Sequence, residues 1–428
     1  MSAGPYRKTV LPSGLTLLTE RIPDRRSLAL GVWVRNGARD EPAELLGISH
    51  FIEHMMFKGT ERRDARAIAA SLESLGGHLD AFTGREEVCY YARALAEHLP
   101  EVVDVLADIV CRSRFAPAEV DREKSVVREE ISSVEDNPED KVCETLAELV
   151  WPGHPLGRPI LGTADTVGAL DHDRLRDYFR SRYRPDHLVV AAAGAVEHEQ
   201  VAAVIDAHFA PPDGPDLPLS AAPAGFVPRV RHERRADLHQ LYLALGTRGV
   251  GYSDADRWPL IVLNTLLGGG MSSRLFQSVR EEAGLAYSVF SAADFYREAG
   301  MVSIQLGVAP DRGREALARV RQELEALLRD GPPEEEIAAA RFQLKGSVVM
   351  GQESVSSRMV HVAHEEIYRG TYTPPDEELE RVLAVTRDQV VELARRLLVP
   401  GRFALSAIGP ATGPPLDERD WPVGAPAA

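Results

Sequence analysis

Apolar positions follow two different periodicities along both halves of the chain. Runs rich in β-branched and apolar residues predict strands, and apolar residues spaced three and four apart predict amphipathic helices. The predicted strands are Leu15–Thr19, Leu28–Val34, His78–Thr83, Glu87–Ala92, Leu241–Leu245, Ala286–Ala292 and Met301–Val308. The predicted helices are Arg66–Leu75, Leu99–Arg112, Trp258–Leu267 and Arg312–Arg329. The two halves have a similar size and element order, which indicates an internal duplication.

Two segments interrupt these patterns. Ala210–Pro223 (APPDGPDLPLSAAP) is crowded with proline, glycine and serine and predicts a linker. Gly409–Ala428 carries five prolines and predicts an irregular tail. We therefore expect an N-terminal domain over residues 1–212, a linker over 213–226, a C-terminal domain over 227–412 and a Pro-rich tail over 413–428.

Composition and charge exclude several classes of protein. A net charge of −16 over 428 residues leaves no basic excess to neutralise phosphates, which argues against a nucleic-acid partner. The longest apolar runs, Leu28–Val34 and Leu188–Val196, are much shorter than the roughly 20 residues of a membrane span. The N-terminus lacks the apolar core of a secretory signal. Three scattered cysteines, Cys89, Cys111 and Cys143, form no disulfide framework, so we expect a cytoplasmic protein without a membrane partner.

The segment Leu46–Phe57 (LGISHFIEHMMF) predicts a helix with two histidines on one face. Its apolar stripe consists of Ile48, Phe51, Ile52, Met55 and Met56. At about 100° per residue, His50, Glu53 and His54 share the opposite face, and both imidazoles can reach one cation. This is the HxxEH arrangement of metallopeptidases. The alternative is a solvated face that happens to carry two histidines, but Gly47 and Phe57 replace the Lys and Arg expected there.

A catalytic zinc needs about three protein ligands, so a third ligand must come from elsewhere. The predicted helix Pro117–Val134 has an apolar stripe of Val120, Val127, Ile131 and Val134. Glu123 and Glu130, seven residues apart, fall inside that apolar sector, whereas Glu129 points away from it. A buried carboxylate requires a partner. The partner is either a metal with its histidines or a buried arginine.

These motifs resemble the pitrilysin, insulysin and mitochondrial processing peptidase family. HFIEH at His50–His54 is followed by MFKGT, and Glu130 lies at the family's spacing for the third zinc ligand. GGHLDAFTGREEVCYYA, EKSVVREEI and HPLGRPILGT (His154–Thr163) are similar to the processing-peptidase branch. The resemblance implies an α+β fold of two similar domains, each with a mostly antiparallel sheet packed with helices.

The resemblance also implies a function. It identifies a zinc-dependent endopeptidase in which His50, His54 and Glu130 bind one Zn²⁺ per chain and Glu53 is the general base. The resemblance also implies that Glu123 orients one of these metal ligands without binding the metal itself. An extended peptide would add to the edge of the strand Leu79–Thr83, beside Ala81 and Phe82; the alternative for this segment is an ordinary buried strand.

In the second half, the resemblance assigns Arg280 and Tyr287 to the bound peptide and the developing oxyanion. Without the resemblance, the sequence favours a surface arginine at Arg280 and a core tyrosine at Tyr287. The surrounding GGGMSSRLFQSVREEAGLAY (Gly268–Tyr287) could be taken for a phosphate loop, but it lacks the GK[ST] ending and follows a helical pattern.

Family members enclose unfolded or short peptides in a chamber of four such domains, and this chain has two. The resemblance therefore implies a homodimer or a heterodimer with an inactive paralogue. The main alternative is a non-catalytic scaffold or partner subunit of the same fold, although such relatives usually lose a ligand or the base. A structural zinc is disfavoured because such sites are rich in cysteine, and neither Leu46–Phe57 nor the predicted helix Pro117–Val134 contains one.

Overall fold

The protein is described here by a computed structural model that covers residues 5–215, 218–223, 225–412 and 415–424. These residues form two compact units. The first unit contains the chain up to Ser132, Pro159–Ser220 and Met350–Tyr372. The second contains Ser133–Arg158, Ala221–Val349 and the chain from Thr373 onward.

The sheet of the first unit is built from strands that are mostly antiparallel. Its strands are β1 (Tyr6–Val10), β2 (Thr16–Arg21), β3 (Ser27–Val34), β4 (His78–Thr83), β5 (Val88–Leu95) and β6 (Leu188–Gly194). They lie in the order β1-β2-β6-β3-β5-β4. The pair β2 and β6 is parallel, and the other neighbours are antiparallel. The strand β4 therefore lies at a free edge.

The sheet of the second unit repeats this topology. Its strands are β7 (Val230–Arg234), β8 (Leu241–Gly249), β9 (Ala286–Phe295), β10 (Gly300–Val308) and β11 (Ala404–Gly409). They lie in the order β7-β11-β8-β10-β9, with only the β7–β11 pair of this sheet parallel among the described residues. This order and these directions match β2-β6-β3-β5-β4. The internal duplication and the predicted α+β fold are thus confirmed.

Helices pack on both sheets. They are α1 (Ile48–Met56), α2 (Ala65–Glu73), α3 (Leu99–Arg112), α4 (Pro117–Asp136), α5 (Pro138–Val150), α6 (Ala164–Gly168), α7 (His172–Arg182), α8 (His198–His208), α9 (Arg257–Gly268), α10 (Gly313–Asp330), α11 (Glu334–Gly351), α12 (Val355–Arg369), α13 (Pro375–Ala384) and α14 (Arg387–Leu397). In the described part of the chain, no helix is long and apolar enough to cross a membrane.

The compact units differ from the contiguous division 1–212 and 227–412 that the sequence suggested. The helix α5, from the first half of the chain, packs on β8 and β11 of the second unit. The helix α12, from the second half, packs on β2, β3 and β6 of the first unit. The reason is a matching apolar face: Val355, Met359 and Val362 bury against Trp33 and its neighbours.

The predicted linker contains one of the boundaries between the units, at Ser220 and Ala221. Residues 216–217 and 224 of that linker, and residues 413–414 and 425–428 of the predicted tail, lie outside the described residues. Residues 415–424 of the tail form no helix or strand. They are nevertheless packed, because Trp421 is fully buried and its indole N–H donates to the Phe403 carbonyl at 3.2 Å.

Candidate metal centre

The helix α1 has one buried apolar face and one face that carries the two histidines, as its sequence pattern predicts. The apolar positions Ile48, Phe51, Ile52, Met55 and Met56 are at most 1% exposed. On the opposite face, the His50 and His54 rings lie edge to face with their centroids 4.5 Å apart. Burial of the apolar face therefore fixes the direction in which both imidazoles project.

A close backbone crossing holds the start of α1. Gly47 has a φ of +88°, and a Cβ atom there would lie 2.4 Å from the Leu161 carbonyl oxygen. Gly162 has a φ of +74°, and its Cβ would lie 2.3 Å from the Leu46 oxygen. Only glycine fits both positions. This crossing gives a physical reason for Gly162, the second-last residue of the HPLGRPILGT motif.

A buried carboxylate also caps α1, which the sequence analysis did not anticipate. Glu41 accepts hydrogen bonds from the Gly47 N–H at 2.7 Å and the Ser49 N–H at 2.8 Å. It thereby satisfies amides at a helix N-terminus, which carries a partial positive charge. The sequence signal was an acidic residue a few positions before a helix, which is too common to single out one residue.

The helix α4 brings Glu130 to the histidines. The Glu130 Oε2 atom lies 3.7 Å from His50 Nε2 and 3.5 Å from His54 Nε2. One potential ligand atom from each of these residues lies within 4.8 Å of the other two. Among the described residues, this is the one group of three or more acidic, histidine or cysteine side chains with such spacing. The structure thus brings together the three residues predicted as ligands, and their binding of zinc stays a prediction.

The free atoms of the cluster fit a divalent cation. The buried Glu130 Oε2 atom has no hydrogen-bond partner, although an unpaired buried carboxylate oxygen is costly. Burial lowers the pKa of His50 to about 4, with a further contribution from His54, so its ring is neutral at pH 7 and can donate a lone pair. Two imidazoles and one carboxylate are the donor set of a catalytic zinc site.

Glu123 lies behind His54. Its Oε1 atom accepts from His54 Nδ1 at 2.8 Å, and Lys58 Nζ lies 2.8 Å from its Oε2 atom. The partners of this buried glutamate are therefore a histidine and a lysine, so the alternative of a buried arginine is wrong for Glu123. Because Nδ1 carries the hydrogen, the Nε2 atom of the neutral His54 ring presents its lone pair toward Glu130. Burial lowers the pKa of His54, but the bond to Glu123 and the charge of Glu130 outweigh it, so this pKa is raised overall.

Glu53 is held next to the histidines by the end of β4. The Thr83 hydroxyl donates to Glu53 Oε2. Burial raises the pKa of Glu53, and the hydrogen bond from Thr83 and the charge of His54 only partly offset that effect. A raised pKa brings a carboxylate closer to the range in which it can both accept and return a proton near neutral pH. The sequence analysis did not identify Thr83 as a partner of Glu53.

The strand β4 presents a free edge. Its side chains alternate between exposed and half-buried, and Phe82 is 37% exposed. The Ala81 N–H donates to Asp80 Oδ1 at 2.8 Å rather than to β5. A peptide carbonyl could therefore replace Asp80 as the acceptor. The alternative that Leu79–Thr83 is an ordinary buried strand is wrong, because the structure places it at the sheet edge.

Arg280 and Tyr287 lie close together in the second unit. Arg280 is on a π-helical segment, Phe276–Glu282, and its guanidinium carbon is 5.0 Å from the centroid of the Tyr287 ring. Tyr287 is 82% exposed at the edge strand β9, so it is not a core tyrosine. A β-bulge places two residues of β9, Tyr287 and Ser288, opposite the single residue Gly307 of β10. Bulges at sheet edges change the direction of the side chains they contain, here that of Tyr287.

Family models match both halves of the chain and cover more than half of it. Residues 16–164 match the model described as insulinase, peptidase family M16. Residues 169–344 match the model described as the peptidase M16 inactive domain. Both halves therefore correspond to one family, with the HxxEH pattern in the first.

Curated relatives cover almost the full length. An uncharacterised zinc protease of Streptomyces coelicolor is 41% identical over 95% of this chain and 90% of its own. An uncharacterised zinc protease of Bacillus subtilis is 38% identical over 94% of this chain and 98% of its own.

Solved structures share the fold. A protease from Helicobacter pylori superposes with a TM-score of 0.89 at 20% identity, over 95% of this chain and 99% of that one. An M16-like peptidase from Alicyclobacillus acidocaldarius gives 0.82 at 22% identity, over 95% and 98%. At these identities, the similarity bears on the fold alone.

Proposed function

The chain belongs to the insulinase (M16) family of peptidases, and from that premise we propose that it is a zinc-dependent endopeptidase for unfolded or short peptides. His50, His54 and Glu130 would bind one zinc ion, and Glu53 is the general base. The observation that carries this proposal is the buried Glu130 oxygen, which has no hydrogen bond and faces two Nε2 atoms at 3.5 and 3.7 Å. The relatives' names as zinc proteases support it.

Each residue of the site has a separate task. A bound zinc ion supplies Lewis acidity, which lowers the pKa of water and polarises a carbonyl. Glu53 accepts the proton of the attacking water at a carboxylate oxygen and returns it to the leaving amine. Thr83 orients that carboxylate. Glu123 holds the proton on Nδ1 of His54 and keeps the ring aligned.

The peptide adds to the free edge of β4 in this proposal. Its backbone would pair with the outward-facing groups of Ala81 and its neighbours, while its side chains contact residues such as Phe82. Main-chain pairing accepts many sequences, but it requires an extended substrate. This requirement favours unfolded or short peptides over folded proteins.

Backbone N-methylation of a cleaved peptide should weaken binding at every second position. In a strand, successive amides point to opposite edges, so only alternate N–H groups can bond to β4. Each methyl group on a paired amide is expected to raise KM about tenfold, because it removes one hydrogen bond and adds a clash. KM and kcat would be measured for single N-methyl analogues of one peptide, with the methylated amides outside the scissile bond. A KM that varies without this alternation would contradict the pairing.

Arg280 and Tyr287 bind the peptide and stabilise the oxyanion in this proposal. The exposure of Tyr287 and the positive charge stacked on it suit a donor pair for a developing anion. Tyr287→Phe and Arg280→Ala should each lower kcat/KM by about a hundredfold while zinc content stays constant. Arg321→Ala is the control, because Arg321 lies on α10 and its ion-pair partner is Glu325. Full activity in both Arg280→Ala and Tyr287→Phe would remove this pair from the mechanism.

We also propose a cytoplasmic enzyme that works as a dimer, with itself or with an inactive paralogue. The support is the likeness to a family whose members build a chamber from four domains of this kind. No nucleic acid or membrane is part of the proposal, in keeping with the net charge of −16.

A further inference from the structure

The segment that follows α1 is anchored on both sides of Lys58. The Lys58 N–H donates to the Met55 carbonyl at 3.1 Å and so closes the end of the helix. Two residues later, the buried Thr60 hydroxyl donates to Asp108 Oδ2 at 2.7 Å. Gly59 between them has a φ of +128°, which side chains rarely adopt. The backbone of Lys58 therefore has a defined position relative to α1.

The Lys58 side chain reaches the carboxylate that supports His54. Its Nζ atom lies 2.8 Å from Glu123 Oε2, while Oε1 of the same carboxylate accepts from His54 Nδ1 at 2.8 Å. The Glu123 side chain is 2% exposed, and that of Lys58 is 31% exposed. Each carboxylate oxygen thus has one partner, and the carboxylate connects the lysine to the imidazole.

We propose that Lys58 is a positioning residue of the metal centre and acts through Glu123. The bond to Oε2 prevents the carboxylate from rotating about its terminal torsion, so Oε1 stays directed at Nδ1 of His54. The ring then keeps its Nε2 lone pair directed toward Glu130. Without the ammonium, Glu123 would be a nearly buried carboxylate with a single partner, an arrangement that is strongly unfavourable. This inference rests on the proposed zinc site and goes beyond it.

The test measures zinc affinity of the metal-free protein rather than activity. Competition with a chromophoric zinc chelator would give the zinc Kd of wild type, Lys58→Met, Lys58→Arg and Lys124→Met. Lys58→Met should raise Kd about tenfold, the scale found for groups that orient a metal ligand. Lys58→Arg should stay within about threefold, because it keeps a cationic donor. Lys124→Met is the matched control, since Lys124 lies on α4 and pairs with Asp121.

Two further readouts separate positioning from a general structural effect. In a Glu123→Ala background, Lys58→Met should cause no additional loss of zinc affinity, because residues that act as a unit are not additive. At saturating zinc, Lys58→Met should lower kcat and leave KM within about twofold, because Lys58 acts in this proposal on a metal ligand through Glu123 and not on the peptide. If Lys58→Met fails to fold as judged by circular dichroism, Lys58→Gln takes its place with nearly the same length.

The outcomes distinguish this inference from the proposal on which it rests. If wild type binds no zinc, the proposed function fails. If wild type binds zinc and Lys58→Met binds it equally well, the role of Lys58 is overturned. An equal loss in Lys58→Met and Lys58→Arg would also overturn it, and so would a full additional loss in the Glu123→Ala background.

Discussion

The Glu53→Gln protein should retain its zinc and lose cleavage of a quenched peptide by about 10²–10⁴-fold in kcat. The amide keeps the shape of the side chain and can still accept from the Thr83 hydroxyl, but it cannot take a proton from water. The metal should remain because Glu53 is not among the grouped ligand atoms of His50, His54 and Glu130. Zinc content by atomic emission and initial rates on the same preparation would measure both effects.

The matched control is Glu129→Gln. Glu129 is exposed on α4 and precedes Glu130 directly, so it tests the loss of one negative charge near the site. We expect its kcat to stay within about twofold of wild type, as for most surface substitutions. Undiminished cleavage by Glu53→Gln would show that Glu53 is not the general base. The alternative of a non-catalytic scaffold or partner subunit would then have to be considered again.

The His54→Ala protein should lose the metal itself. Its zinc content should fall from about one ion per chain to near zero after dialysis, because two ligands remain where a catalytic zinc needs about three. Cleavage should disappear with the metal. Emission spectrometry gives the stoichiometry, and circular dichroism shows whether the fold persists.

His98→Ala serves as the control for the removal of a histidine. His98 precedes α3 and lies 3.8 Å from Glu97, outside the proposed ligand set. It should keep one zinc per chain. If His54→Ala also retained one zinc per chain, the assignment of His50, His54 and Glu130 as the ligand set would be wrong.

The residues of the metal centre could be predicted because each lies on a helix with a clear apolar stripe. The stripe of α1 determines where His50 and His54 project, and the stripe of α4 places Glu123 and Glu130 on its inner face. The spacing of two histidines one turn apart then suggests a shared cation. That the two helices meet was inferred from family resemblance, because periodicity on one helix carries no information about its neighbour.

The hydrogen bonds that complete the site could not be predicted. Thr83 and Glu53 are thirty residues apart in sequence, and their contact depends on how β4 packs against α1. The same holds for Glu41, which reaches back to the amides of α1 from a preceding loop. Short polar side chains occur throughout the sequence, so only the tertiary packing identifies these two.

The domain boundaries also depend on tertiary packing that the sequence pattern does not reveal. The linker is visible in its composition, but α5 and α12 have ordinary amphipathic patterns that fit either sheet. Their apolar faces identify them as buried helices without identifying the surface that buries them. A contiguous division was therefore the natural prediction, and the exchange of α5 and α12 could be seen only in the structure.

The exchange of α5 and α12 has a consequence for how the protein can be divided. A gene cut at residue 220 would yield a leading fragment without α12, leaving Trp33 and the surrounding apolar face of its sheet open to water. The trailing fragment would lack α5 and expose Ala244 and Ile408 in the same way. Neither fragment contains all of its own core. Each half of the chain thus depends on a helix from the other half, so the first unit can complete its core only after α12 has been synthesised.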